Sequence, residues 1–285
     1  MIINEKCDNG RYIAAPISKD YILNPIAIQT ALLPGNSFDE QCRAAKTAGA
    51  DGIEFSADVR LYTSLPEVAE ALERYGLKAA ALHAGHTHLI APDPVQREAA
   101  MVAIQDALTA ATDLGASGVV FYPHYAPHHV LPDLEPYKAA VELEAELLIT
   151  LLKKTVCDLA NALNMRLLLA HADSGTSSLL RRPEHAAMIR AKLENHPMLS
   201  VASSLAHLDA EGLDAANIFR VDGVGYLSIC DTDGRLPGSG TRDWEAWASA
   251  LRASSYEGWL AIEGSAPAPV TALAGSIRAL RRVGV

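Results

Sequence analysis

Cysteine is scarce in this chain. Cys7, Cys42, Cys157 and Cys230 are far apart, with no CxxC pair among them, which argues against a disulfide framework or a cysteine zinc site. Basic charge is short as well. The formal net charge is -10, and Lys and Arg form nothing longer than pairs such as Arg181–Arg182 and Arg281–Arg282. Non-specific DNA and RNA binders need a basic footprint, so a nucleic-acid partner is not expected. No uninterrupted apolar run reaches membrane-spanning length, and no basic segment followed by a long apolar run opens the chain. Neither a membrane span nor a signal peptide is therefore expected, and a reducing, cytoplasmic setting is the default. Internal repeats and low-complexity tracts are missing too.

What is present is an ordinary globular balance of 49% apolar and 20% charged residues, too apolar for a disordered chain. The 285 residues suffice for one large core, although two smaller domains would also fit that length. Eight short apolar stretches predict strands: 26–32, 51–56, 77–82, 118–122, 165–169, 199–203, 224–229 and 259–262. Helical patterns lie between and after them, over 37–49, 66–75, 93–114, 136–163, 183–194, 209–217, 242–252 and 270–281. Ser37 followed by Glu40 has the spacing of a capping box, and Gly49, Gly76 and Gly115 stand where helices stop.

A run of βα units implies a parallel sheet with right-handed crossovers. Eight units in this length fit an α/β fold of the (β/α)8 TIM barrel type as a single domain. Its competitor, an open doubly wound sheet, lacks the expected GxGxxG after the first strand. The expected organisation is an N-terminal extension over 1–24, covering the barrel bottom or forming a lid, and a barrel domain over 25–285.

In such a barrel, residues just past the strands converge on one mouth. Glu54 lies in strand two. His83, His86 and His88 follow strand three; His124, His128 and His129 follow strand four. His171 and Asp173 follow strand five, His207 follows strand six, Asp231 and Asp233 follow strand seven, and Glu263 ends strand eight. Eight of the ten histidines thus lie just past strands three to six, with only His185 and His196 elsewhere. One loop histidine means little, but several carried to one opening by different strands predict a functional cleft.

Imidazole and carboxylate groups suit ions such as Zn or Mn, and His83, His124, His207 and Glu263 form a candidate metal set. The competing expectation is a metal-free pocket in which histidines bind a polar ligand or exchange protons near neutrality. Glu263 is the first candidate for a catalytic base, since partial desolvation raises a carboxylate's proton affinity, with His171 or His207 as partner acid. A salt bridge to a loop arginine is its structural alternative. Glu54, His86, Asp173, Asp231, Arg235 and Arg242 are candidates for substrate binding. The loop Pro237-Gly238-Ser239-Gly240 offers backbone N–H groups that could hold an anion before a helix, or Thr241 simply caps that helix. Trp244 and Trp247 are expected to pack on the barrel.

Several segments carry a resemblance. Ser37-Phe38-Asp39-Glu40 through Asp51-Gly52-Ile53-Glu54, Leu77 to His83, Leu205-Ala206-His207-Leu208, Asp231 with Pro237-Gly238, and Gly258 to Glu263 together resemble the sugar phosphate isomerase/epimerase superfamily, the xylose isomerase-like TIM barrels. Endonuclease IV is a related branch, disfavoured here by the acidic charge and an incomplete zinc ligand set. The resemblance implies one divalent ion held by a Glu after strand five, an Asp after strand six, a His after strand seven and a Glu after strand eight. In this sequence those positions fall on Ala170, Ser204, Ser228 and Glu263, so only the last keeps its ligand. A one-residue shift in strand five would let His171 stand in for the missing Glu.

The resulting expectation is an isomerase or epimerase acting on a small sugar or polyhydroxy carbonyl compound, by proton abstraction α to the carbonyl. Alternatives are a lyase or dehydratase with the same first step, and a sugar-binding barrel without turnover. The expected partner is a small-molecule substrate, with homo-oligomer formation left open.

Overall fold

The computed structural model describes residues 23–56, 64–85, 88–264 and 266–285. Most of the expected extension, residues 1–22, lies outside them, as does His86. Strands β1 Ile26–Gln29, β2 Gly52–Phe55, β3 Lys78–His83, β4 Val119–Phe121, β5 Leu167–Ala170, β6 Leu199–Ser204, β7 Val224–Ile229 and β8 Trp259–Ile262 pair in that order. All pairs are parallel, and β8 returns to β1 to close the barrel. The helices are α1 Phe38–Ala48, α2 Leu65–Tyr75, α3 Pro94–Asp113, α4 Ala140–Leu151, α5 Cys157–Ala162, α6 Pro183–Lys192, α7 Leu205–Ala210, α8 Trp244–Ala253 and α9 Val270–Arg282. The expected (β/α)8 barrel is therefore the observed fold. None of the described helices is long and apolar enough to cross a membrane.

Local chemistry sets most boundaries. Ser37 Oγ accepts from the Glu40 amide as the spacing suggested, while Glu40 Oε2 reaches back to the Asn36 amide, one residue before the N-cap amide that a full capping box would use. Gly49 and Gly76 end α1 and α2 with left-handed backbones of φ 91° and 60°. The long helical pattern over 136–163 is interrupted. α4 begins only at Ala140, and a π-helical turn, Leu152–Val156, separates it from α5.

The region after β6 departs furthest from expectation. A helix was expected over 209–217, but α7 starts at Leu205, directly off the strand, because Ser204 Oγ accepts from the Ala206 amide and caps it. His207 consequently rides on a helix. A 3-10 segment, Ala215–Arg220, occupies the later stretch.

The strand side chains sort into two layers. Outward residues such as Ile28, Ile53, Leu169, Val201, Leu227 and Ile262 join the large core under the helices. Inward residues form a smaller cluster of Ala27, Ala80, Ala81, Val120, Leu168, Ala170, Ala202, Tyr226, Trp259 and Ala261. Six of these ten are alanine, so two large rings fill the interior and the floor beneath the mouth stays low. Because side chains alternate along a strand, the next inward positions above this floor are Gln29, Glu54, His83, Tyr122, Ser204, Ser228 and Glu263.

Candidate active site

Glu54 is fully buried and wrapped by donors. Gln29 Nε2 donates to Oε1 at 2.7 Å, the Tyr226 hydroxyl donates to Oε2 at 2.7 Å, and His83 Nε2 meets Oε1 at 2.7 Å. Burial alone would raise this carboxyl, but the His83 imidazole and the hydrogen bonds outweigh it and hold Glu54 below its usual range. It is a fixed anion under the mouth that orients His83 without reaching the opening itself.

A second carboxylate–imidazole pair stands across the opening. His207 Nδ1 lies 2.7 Å from Asp173 Oδ2. A carboxylate only accepts, so that contact places the proton on Nδ1. The Asp173 amide, 3.3 Å from the same nitrogen, cannot then donate to it, and the shorter contact decides the tautomer. This leaves His207 Nε2 as the nitrogen for proton exchange. Burial tends to raise the Asp173 carboxyl, but His207 and Thr176 as donors keep it low. The loop holding it is pinned, with Gly175 N and Thr176 Oγ bonded to Asp173 and Ser174 N to Glu211.

Glu263 closes the ring. Ser204 Oγ donates to its Oε1 at 2.7 Å, and the Ala206 amide approaches at 3.4 Å. Burial raises this carboxyl's proton affinity, Ser204 opposes that, and the charge on Glu54 adds to it; the net effect is a carboxyl above its usual range. No arginine pairs with Glu263 among the described residues, so the salt-bridge alternative has no partner there.

Tyr122 stands between the pairs. Its ring stacks at 6.4 Å from His83 and meets His207 edge-on at 6.2 Å and Tyr125 at 5.5 Å. Neither Tyr122 nor Gln29, Tyr226 and Ser204 as polar partners was singled out from sequence as a site group. Their signal was present in the strand parity, since each occupies an inward position, with Gln29, Tyr122 and Ser204 at the tops of their strands and Tyr226 lower, in the floor.

Other sequence candidates lie elsewhere or have other work. His171 falls one residue past the inward Ala170. It is 1% exposed, with Nε2 at 2.7 Å from Ser203 Oγ and its ring 6.1 Å behind that of His207. Burial, then the neighbouring His207, push it down to about 3, so it is neutral at physiological pH. It therefore does not stand in for the inward strand-five ligand. His124 turns into its own loop, with Nε2 near His128 O and Ser178 Oγ at 3.2 and 3.4 Å.

Asp231 is fully buried and accepts from the amides of Thr232, Gly238 and Arg242 and from Trp244 Nε1. The glycine-rich loop thus spends its N–H groups on Asp231 rather than on an external anion. Asp243, not Thr241, caps α8. Arg242 donates to Asp209 at 2.6 Å and to Cys230 O, while Arg235 is exposed near Asp233. Trp244 and Trp247 are buried against the barrel as expected.

The metal set His83, His124, His207 and Glu263 is not brought together. No group of three or more His, Cys, Asp or Glu side chains gathers as a ligand set among the described residues. The positions implied by the resemblance do not fit an ion either. Ala170 has no donor atom, the Ser204 hydroxyl is committed to Glu263, and Ser228 offers a neutral hydroxyl where an imidazole is needed.

The fold has solved counterparts. The solved 3-keto-D-glucoside 4-epimerase YcjR from E. coli superposes with a TM-score of 0.78 at 22% identity, covering 91% of this chain and 99% of that one. D-allulose 3-epimerase from Methylomonas sp. in complex with D-allulose gives 0.72 at 16%, covering 92% and 98%. An L-ribulose 3-epimerase gives 0.72 at 18%, covering 92% and 96%. No curated protein matches the sequence at a significant level. The family model for the xylose isomerase-like TIM barrel matches residues 42–283, and the chain belongs to that family.

Proposed function

We propose that this protein is an epimerase or isomerase of a small keto-sugar that moves a proton at the carbon next to the carbonyl and does so without a bound metal. The observation that carries this reading is Glu263, a carboxylate above its usual proton affinity, set at the mouth beside an imidazole whose tautomer Asp173 fixes. A carboxylate so poised removes a proton near neutral pH more effectively than a solvated one. With Nδ1–H held by Asp173, the doubly protonated ring of His207 is the acid, and it returns a proton from Nε2. His83, anchored by Glu54, orients the polyhydroxy chain.

The named activities of the three similar structures, all epimerases of keto-sugars, support this substrate class. Among the described residues, the mouth carries the carboxylates Asp173 and Glu263, with buried Glu54 beneath them, and no lysine or arginine is paired with any of the three, which favours an uncharged sugar over a phosphorylated one.

The test is wash-in of solvent deuterium, followed by NMR, over ketohexoses, ketopentoses and 3-keto-glucosides. The native protein is expected to label the carbon next to the carbonyl of at least one, with EDTA present. Glu263→Gln should slow that labelling by about 10²–10⁴-fold while the sugar still binds. Undiminished labelling by the variant removes Glu263 as base. No labelling of any sugar by native protein overturns the reading.

A further inference from the structure

The mouth retains Glu263 but lacks the other donors through which the family's ion would hold a substrate oxygen. A proton leaves a carbon next to a carbonyl only if the charge arriving on that oxygen is stabilised. Most polar groups at the opening are already committed. His83 is bonded to Glu54, Ser204 to Glu263, and Tyr226 to Glu54. Tyr122 differs. It follows the end of β4 in phase with the inward Val120, and its ring packs on the interior cluster. His83 and His207 flank that ring on two sides. Its hydroxyl has no hydrogen-bond partner among the described residues.

We infer that the Tyr122 hydroxyl is the donor that stabilises the substrate's enolate oxygen, taking the place of the metal ion. This rests on the proton-transfer reading above. As Glu263 takes the proton, the C–H pair becomes a C=C bond and the carbonyl π pair moves onto oxygen. That oxygen accepts the Tyr122 hydrogen bond and takes no proton from it. Return of a proton to carbon re-forms the carbonyl, with no net oxidation or reduction. Burial, then the charge of Glu263, hold the phenol proton far more tightly than in water, with Tyr125 and Glu54 adding to the effect. Tyr122 therefore remains a neutral donor throughout and does not compete as a base.

Tyr122→Phe keeps the ring and its packing but removes the donor. It is expected to slow deuterium wash-in by about 10²–10³-fold, mostly in kcat, with the circular dichroism and melting curve of the native protein. A merely structural ring would be fully replaced by phenylalanine. Labelling by the variant within about threefold of the native rate therefore overturns the inference. So does native labelling that requires added Mn²⁺ or Zn²⁺, since an ion would then be doing this work. Absence of labelling by native protein is a different result: it defeats the proton-transfer reading itself, and this inference with it.

Discussion

Two carboxylates that close neighbouring βα units, Asp231 after β7 and Glu263 after β8, have opposite fates. Asp231 is saturated by three amides and an indole N–H, and those donors carry its carboxyl down to about 2 against the opposing effect of burial. Glu263 has one hydroxyl, the weakly donating Cys230 thiol and one distant amide, and burial prevails. Both are carboxylates at the same end of the same barrel. The number of donors aimed at each decides which one is scaffold and which one is poised to exchange a proton. Gly240 shows how tightly the first is built: a Cβ there would lie 2.3 Å from Asp231 Oδ1, so the loop closes on the carboxylate only with glycine.

Removing each carboxylate should separate the two roles. Asp231→Ala leaves buried amides and an indole unpaired and is expected to cost about 3 kcal/mol, read as a lower urea midpoint. Near pH 4, Glu263→Gln should leave the urea midpoint close to that of the native protein, while slowing turnover by about 10²–10⁴-fold. Equal loss of stability in the two variants would erase the distinction.

The pH dependence of stability sharpens the same contrast because the signs differ. Asp231 has a depressed folded value, so its stabilisation is complete above the unfolded value near 4 and is lost as pH falls toward about 2. That loss amounts to about 2 kcal/mol and should be missing in Asp231→Asn. Glu263 has a raised folded value. Its contribution is present below the unfolded value of about 4.5 and is lost as pH rises through the folded one. Urea titrations of native protein and Glu263→Gln between pH 4 and 8 should therefore diverge, with the native protein alone losing this increment on the alkaline side.

The sequence made the barrel legible because its signals are local and repeated. Strands such as Val224–Ile229 and Trp259–Ile262 are short apolar runs, and Ser37, Gly49 and Gly76 punctuate helices by their own backbone chemistry. It also brought Glu54, His83, Asp173, His207 and Glu263 to attention, because polar groups past barrel strands stand out. Tyr122 did not stand out, since a tyrosine at the end of an apolar strand looks like core until strand parity turns it inward. Asp231 looked like a ligand-binding group because hydrogen bonds from residues seven to thirteen positions later are invisible in composition. His171 was placed beside the chemistry by its number, but a one-residue step past β5 sends a side chain to the other face.

Ser204 offers the finest adjustment of the comparison, since its hydroxyl is the main donor restraining Glu263. It has two tasks, capping α7 through the Ala206 amide and donating to Glu263 Oε1. In Ser204→Ala the carboxylate loses that donor and its proton affinity rises further. A hydrogen bond to a charged group worth about 1 kcal/mol corresponds to a little under one pH unit. The acidic limb of the kcat/KM profile, which reports ionisation of the base in the free enzyme, should accordingly move to higher pH by about 0.5–1 unit. Loss of the cap alone would lower the urea midpoint and leave the limb in place. A limb that stays put in Ser204→Ala would therefore mean that burial, and not the count of donors, sets the reactivity of Glu263.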